Sequence, residues 1–156
     1  MFDVPVESTY VWVALALVSA SVLGLAVRVP SAPPPDATGV ARTVDSVASS
    51  PYEATARHPI EADEIRLGSE RVGVRTDAGA SHAGFAYDRV VPASGAGPLG
   101  YVLRGRPPER VFDSRRAFSV AVKRARNGTA SWRPAPERLL VRRVSWGGVN
   151  ATLVGA

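Results

Sequence analysis

Residues 8–27, STYVWVALALVSASVLGLAV, form an uncharged run that is apolar on every helical face. At about 1.5 Å per residue such a run reaches roughly 30 Å, the thickness of a bilayer hydrocarbon core, and predicts a transmembrane helix. Tyr10 and Trp12 stand at its start, where amphipathic rings favour the membrane interface, and Arg28 with Pro30 closes it. A buried core helix is one alternative, but it would demand a large surrounding core. A cleaved secretory signal is another, with Ala14 to Ala26 as its apolar stretch and Ser31-Ala32 as a small-residue site. The start, MFDVPVE, argues against it, because it carries Asp3 and Glu7 and no basic residue. An uncleaved anchor over 1–28 is therefore expected.

Beyond it, PSAPPPDATG cannot continue a helix, since proline lacks the amide donor, and 29–36 reads as a stiff spacer. Asp36 stands at an N-cap position, and Val40, Ala41, Val44, Val47 and Ala48 recur at helical spacing until Ser49-Ser50-Pro51. This predicts an amphipathic helix over 37–49, its stripe packed on a sheet or, alternatively, on a membrane surface or partner helix. From Ile60 the pattern becomes strand-like. Ile65 to Leu67, Val72 to Arg75 and Ser81 to Tyr87 are separated by Gly68-Ser69 and Asp77-Ala78-Gly79 turns, predicting an antiparallel meander. A Gly- and Pro-rich segment over 91–108 reads as loop, with one helical turn around Leu99 to Leu103. Ser114 then caps a helix in which Phe118, Ala121, Val122 and Ala125 share a face, ended by Asn127-Gly128. Last, Leu139 to Trp146 and Val149 to Val154 flank Gly147-Gly148, the signature of a two-residue hairpin that sets Trp146 opposite Val149 and Val144 opposite Ala151. Its more apolar face, including Leu140, Val144, Trp146, Val149, Ala151 and Leu153, should pack on the 114–126 helix. The expected architecture is an N-terminal transmembrane helix followed by a soluble α+β domain over 37–156, with about five antiparallel strands and two helices.

Composition narrows the chemistry. With 156 residues and no cysteine, the chain holds one modest domain and has no thiol nucleophile, disulfide, iron–sulfur centre or cysteine-built zinc site. Glu61, Asp63 and Glu64 cluster near His58, but one loop with a single imidazole lacks metal-ligand spacing. Ser81 and His82 are adjacent on a strand and point to opposite faces, so they cannot act as nucleophile and base. Gly95-Ala96-Gly97-Pro98 has neither the lysine nor the strand-to-helix context of a phosphate loop. An enzyme would require acids brought together only by folding, such as Asp63, Glu64 and Asp88. No catalytic residue, cofactor or metal is implied.

Charge is uneven. The total is +5, with 19 basic against 14 acidic residues, and 113–156 alone contributes nine basic against two acidic. Arg115, Arg116, Ser119, Lys123 and Arg126 mark one face of the predicted helix. A solvated basic face is the plain reading. Nucleic acid is not the expected partner, because Trp132 and Trp146 are isolated in sequence and the aromatic interleaving of a single-strand platform is missing.

Two signals for orientation disagree. Arg28 and Arg42 follow the anchor and no basic residue precedes it, which favours a cytoplasmic C-terminal domain. Yet the two asparagines of the chain, Asn127 and Asn150, both lie in glycosylation sequons, Asn127-Gly128-Thr129 and Asn150-Ala151-Thr152. They favour an extracytoplasmic domain.

Taken together, the segments PSAPPPD, TVDSVASSPY, HPIEADEIRLG, RVGVRTDAG and LLVRRVSWGGVNATLVGA make the chain resemble a family of short, uncharacterised haloarchaeal membrane proteins, associated with loci for archaeal type IV pilus or type II secretion-like machinery. The resemblance carries over no catalytic residue. The positive net charge is unusual for a haloarchaeal protein, while the lack of a basic, cleavable prepilin start and the proline spacer that interrupts the long helix depart from a pilin and imply an accessory component. The expectation is a single-pass, membrane-tethered, extracytoplasmic interaction protein, held to lipid by residues 8–27 and contacting a protein partner in a surface complex. The alternative is a cytoplasm-facing tether whose basic C-terminal third holds nucleic acid or anionic lipid.

Overall fold

Asp36 does what its position predicts. Its carboxylate accepts the Gly39 amide at 2.7 Å and caps helix α2, Ala37–Ala48. The computed structural model describes residues 10–19, 34–87, 89–93 and 95–155 of the chain, which divides into two units, Met1–Pro33 and Pro34–Ala156.

In the first unit residues 10–19 are helical (α1), with Tyr10 and Trp12 72% and 71% exposed. Among the described residues no helix is long and apolar enough to cross a membrane. The expected transmembrane anchor, and the single-pass membrane assignment drawn from it, are corrected accordingly. The run has the apolarity of a span, but its described helical part covers about 15 Å at 1.5 Å per residue, half a hydrocarbon core. The rest of the expected span and Arg28 lie outside the described residues.

The second unit is an α+β domain with eight strands among its described residues, where five were expected. Strands β1 (Thr55–Pro59), β7 (Arg138–Trp146), β8 (Val149–Gly155) and β5 (Val91–Ala93) form one sheet in the order β1-β7-β8-β5. A second sheet has the order β4-β3-β2-β6, from Gly79–Gly84, Arg71–Thr76, Glu64–Leu67 and Trp132–Pro134. All pairs are antiparallel except β5 with β8. The added strands are short edges, β1, β5 and β6, whose local composition hides them. Pro59, Pro92 and Pro134 within them are tolerated because edge strands need not donate every amide.

Helix α2 is wedged between the sheets. It touches β1, β7 and β8 of the first and β3 and β4 of the second, and its stripe of Ala37, Val40, Ala41, Val44, Val47 and Ala48 is buried throughout. With Ile65, Leu67, Val72, Val74, Leu139, Val141 and Val154 it makes one core. Asp45 on the same helix accepts the Ala86 and Tyr87 amides at 2.9 and 3.2 Å, tying the end of the meander to α2.

The other core lies on the opposite face of the first sheet. There α3 (Pro98–Leu103) and α4 (Arg115–Arg126) cover Val144, Ala151 and Leu153, with Phe118 fully buried between Phe112 and Trp146 at ring separations of 5.4 and 5.9 Å. The hairpin register is the expected one, Trp146 opposite Val149 and Val144 opposite Ala151. Gly147 and Gly148 take φ of +57° and +83°, the primed turn. On the hairpin's second face Ser145 and Asn150 are exposed near the turn, but the burial changes further along the strand. Thr152 is 2% exposed there, because α2 lies against this side of the sheet.

Candidate functional site

The second sheet buries alternate residues and turns the others outward. On β2, Ile65 and Leu67 face the core and Glu64 and Arg66 face solvent; on β3, Val72 and Val74 face the core and Arg71 and Arg75 face solvent. Pairing then sets Trp132, Arg66, Gly73 and His82 in one row across β6, β2, β3 and β4, since Arg66 is opposite both Trp132 and Gly73, and Gly73 is opposite His82. Gly73 is the gap in that row. The His82 and Trp132 rings lean over it and meet edge to face, centroids 5.8 Å apart and planes at 74°. A Cβ at this position would stand 2.8 Å from His82 Cδ2 and 3.0 Å from Trp132 Cη2.

Cations flank the rings. The Arg75 guanidinium lies 4.7 Å from the Trp132 ring centroid and is oriented by Glu64, whose Oε2 accepts Arg75 Nε at 2.6 Å. Arg66 Nε donates to the Ala130 carbonyl at 3.2 Å, which ties β2 to the loop before β6. Next to the row a cleft of about 300 Å³ opens between the β2–β3 turn and the end of α4, walled by Arg66, Ser69, Arg71, His82, Gly128 and Ala130. Glu70 also borders it and is engaged by Arg89 at 3.2 Å. The surface therefore offers two rings, three arginines and a recess, with Glu64 and Glu70 at its edge each paired with an arginine.

The residues singled out from sequence are scattered. On α4, Arg115, Arg116 and Lys123 are exposed and Arg126 is half-buried. That face carries no ring, since Phe118 points inward. Asn127 is the C-cap of α4 and is exposed together with Gly128 and Thr129. Asn150 is exposed near the start of β8, while Thr152 of its sequon is buried.

Glu64 pairs with Arg75, and Asp88 lies outside the described residues. His58 is held by a hydrogen bond between its Nδ1 and Thr43 Oγ1 at 2.8 Å, and the Gly39 carbonyl lies 3.1 Å from the same hydroxyl. Among the described residues no group of three or more His, Cys, Asp or Glu side chains could hold a metal ion. Ser81 lies opposite core Val74 and His82 opposite Gly73, so the two side chains leave the strand on different faces.

Sequence reading missed the row because its members are far apart in the chain and are joined only by strand pairing. The one local signal was Gly73 inside a strand pattern, which marks a close approach of other groups to the backbone.

A model of the family of unknown function DUF7283 matches residues 3–144, and the chain belongs to that family. No curated protein and no solved structure matches it.

Proposed function

We propose that this member of a family of unknown function is a binding module that acts by contact rather than turnover, and that it engages an anionic partner through the outer face of its second sheet. The observation that carries this reading is the cluster of Arg75 on Trp132 beside His82, bordered by Arg66 and Arg71. Arginine forks suit carboxylate and phosphate groups, and here two are anchored on the β-scaffold by a hydrogen bond or an ion pair. Such anchoring lowers the ordering cost of binding.

The test compares two charge-matched variants of the full chain on immobilised dextran sulfate. Arg66→Ser/Arg71→Ser/Arg75→Ser removes three cations from the sheet face, and Arg115→Ser/Arg116→Ser/Lys123→Ser removes three from α4. The salt concentration needed for elution should fall well below wild type for the first variant and change little for the second. Equal falls would refute the reading and leave only general basicity.

An extracytoplasmic site of action, in a surface complex of the pilus or secretion kind, is the second part of the proposal. It is supported by the exposure of Asn127-Gly128-Thr129 at the end of α4. With Thr152 buried, Asn127 is the acceptor a folded chain presents. Expressed through a secretory pathway, the chain should lose its glycan-dependent gel shift on Asn127→Gln and keep it on Asn150→Gln. Absence of any shift would remove the support.

A further inference from the structure

Resting on the reading of the second sheet as an anion-binding face, we infer that its partner is single-stranded nucleic acid. Three features select it.

First, the face combines rings and cations. An acidic polypeptide would be met by Arg66, Arg71 and Arg75 alone and would leave Trp132 and His82 without a role, whereas a polynucleotide uses both, its phosphates on the guanidinium groups and its bases on the planar ones. Second, the stacking order continues outward. Arg75 lies on Trp132 at 4.7 Å, its side chain remains 45% exposed, and a guanidinium plane is itself a surface on which a base stacks. Third, the cations are spaced along the strand. Arg71, Gly73 and Arg75 alternate on one face of β3, repeating about every 6.8 Å, with Arg66 beside Gly73 on the neighbouring strand. Gly73 keeps the middle of the track free of a side chain so that the flanking rings converge there. A duplex would offer its phosphates but not its base faces, so a flat face with rings at its centre favours the unpaired strand.

The +5 net charge adds a general attraction that is independent of base sequence. The α4 face has comparable charge and no exposed ring. It is the internal control.

The experiment titrates the full chain with a fluorescein-labelled oligothymidylate and follows both anisotropy and tryptophan emission, with the equivalent duplex, dextran sulfate and polyglutamate as competitors. Binding should quench tryptophan, and the logarithm of the association constant should fall with log salt at a slope of about −2, from about 0.7 per phosphate neutralised by three arginines. Trp132→Ala should weaken oligothymidylate about tenfold or more while changing dextran sulfate binding less than twofold. Trp132 is half-buried on a short strand, so its variant's fold is checked by far-UV circular dichroism. His82→Ala alters an exposed side chain and should give the same preference independently, whereas Arg71→Glu reverses a charge that meets phosphate and sulfate alike and should weaken both polyanions. Loss of oligothymidylate and dextran sulfate in equal measure in the two ring variants, or tighter binding of duplex or polyglutamate, overturns the nucleic-acid inference and leaves the anion-binding module standing. Failure of every polyanion to bind removes both.

Discussion

Gly73 shows how one missing side chain organises a surface. The atoms a Cβ would meet belong to the far ends of His82 and Trp132, one of them exposed and free to swing. Gly73→Ala should therefore cost little stability, under about 1 kcal/mol in urea denaturation, because strand entropy favours alanine over glycine. The same change should weaken retention on oligothymidylate by spreading the two rings, and leave dextran sulfate, held by the arginines, within about twofold. A large stability loss with unchanged binding would mean that Gly73 serves packing alone. Phe118 is the opposite case. It is fully buried between Phe112 and Trp146, and Phe118→Ala should destabilise the domain by about 3–5 kcal/mol, read as a fall in the urea midpoint, with binding intact in the folded fraction.

Among the elements, legibility followed how local the signal was. The α2 cap and stripe, the 114–126 helix and the closing hairpin are written in contiguous residues, Asp36 with Val40 and Val44, Ser114 with Phe118 and Val122, and Gly147-Gly148 between alternating strands. Strands β1, β5 and β6 are not, because each is a short, proline-containing edge made regular only by its partner. The candidate site was illegible for the same reason. Residues 66, 73, 82 and 132 become neighbours through three separate pairings. The N-terminal apolar run misled in the other direction, since twenty uncharged, mostly apolar residues satisfy the hydropathy pattern of a span, whereas among the described residues no helix is long and apolar enough for one. At the turn, Gly148 has φ +83° with open space around it. Gly148→Ala should cost about 1 kcal/mol through backbone strain alone, measurable as a drop in melting temperature, and Gly148→Asn less, because asparagine tolerates the left-handed region.

For the whole molecule, the division after Pro33 predicts that residues 34–156 fold without the preceding segment. Residues 34–156 produced alone should melt at the temperature of the domain in the full chain and retain its far-UV circular dichroism; a collapse of the fold would show that the first unit is part of the core. Helix α2, held between both sheets, carries a further consequence for the order in which the chain assembles. The meander β2–β3–β4 can form from near neighbours, but β1 must wait for β7, joining Thr55 to Arg142, and β2 must wait for β6, joining Arg66 to Trp132. Loop closure over such separations slows folding into the millisecond-to-second range typical of topologies rich in distant contacts. Until β7 and β8 arrive, the valines of α2 lack the sheet that covers one side of them, so the first half of the chain passes through a stage in which an apolar helix waits uncovered. That interval, rather than the finished fold, is where aggregation during synthesis would begin.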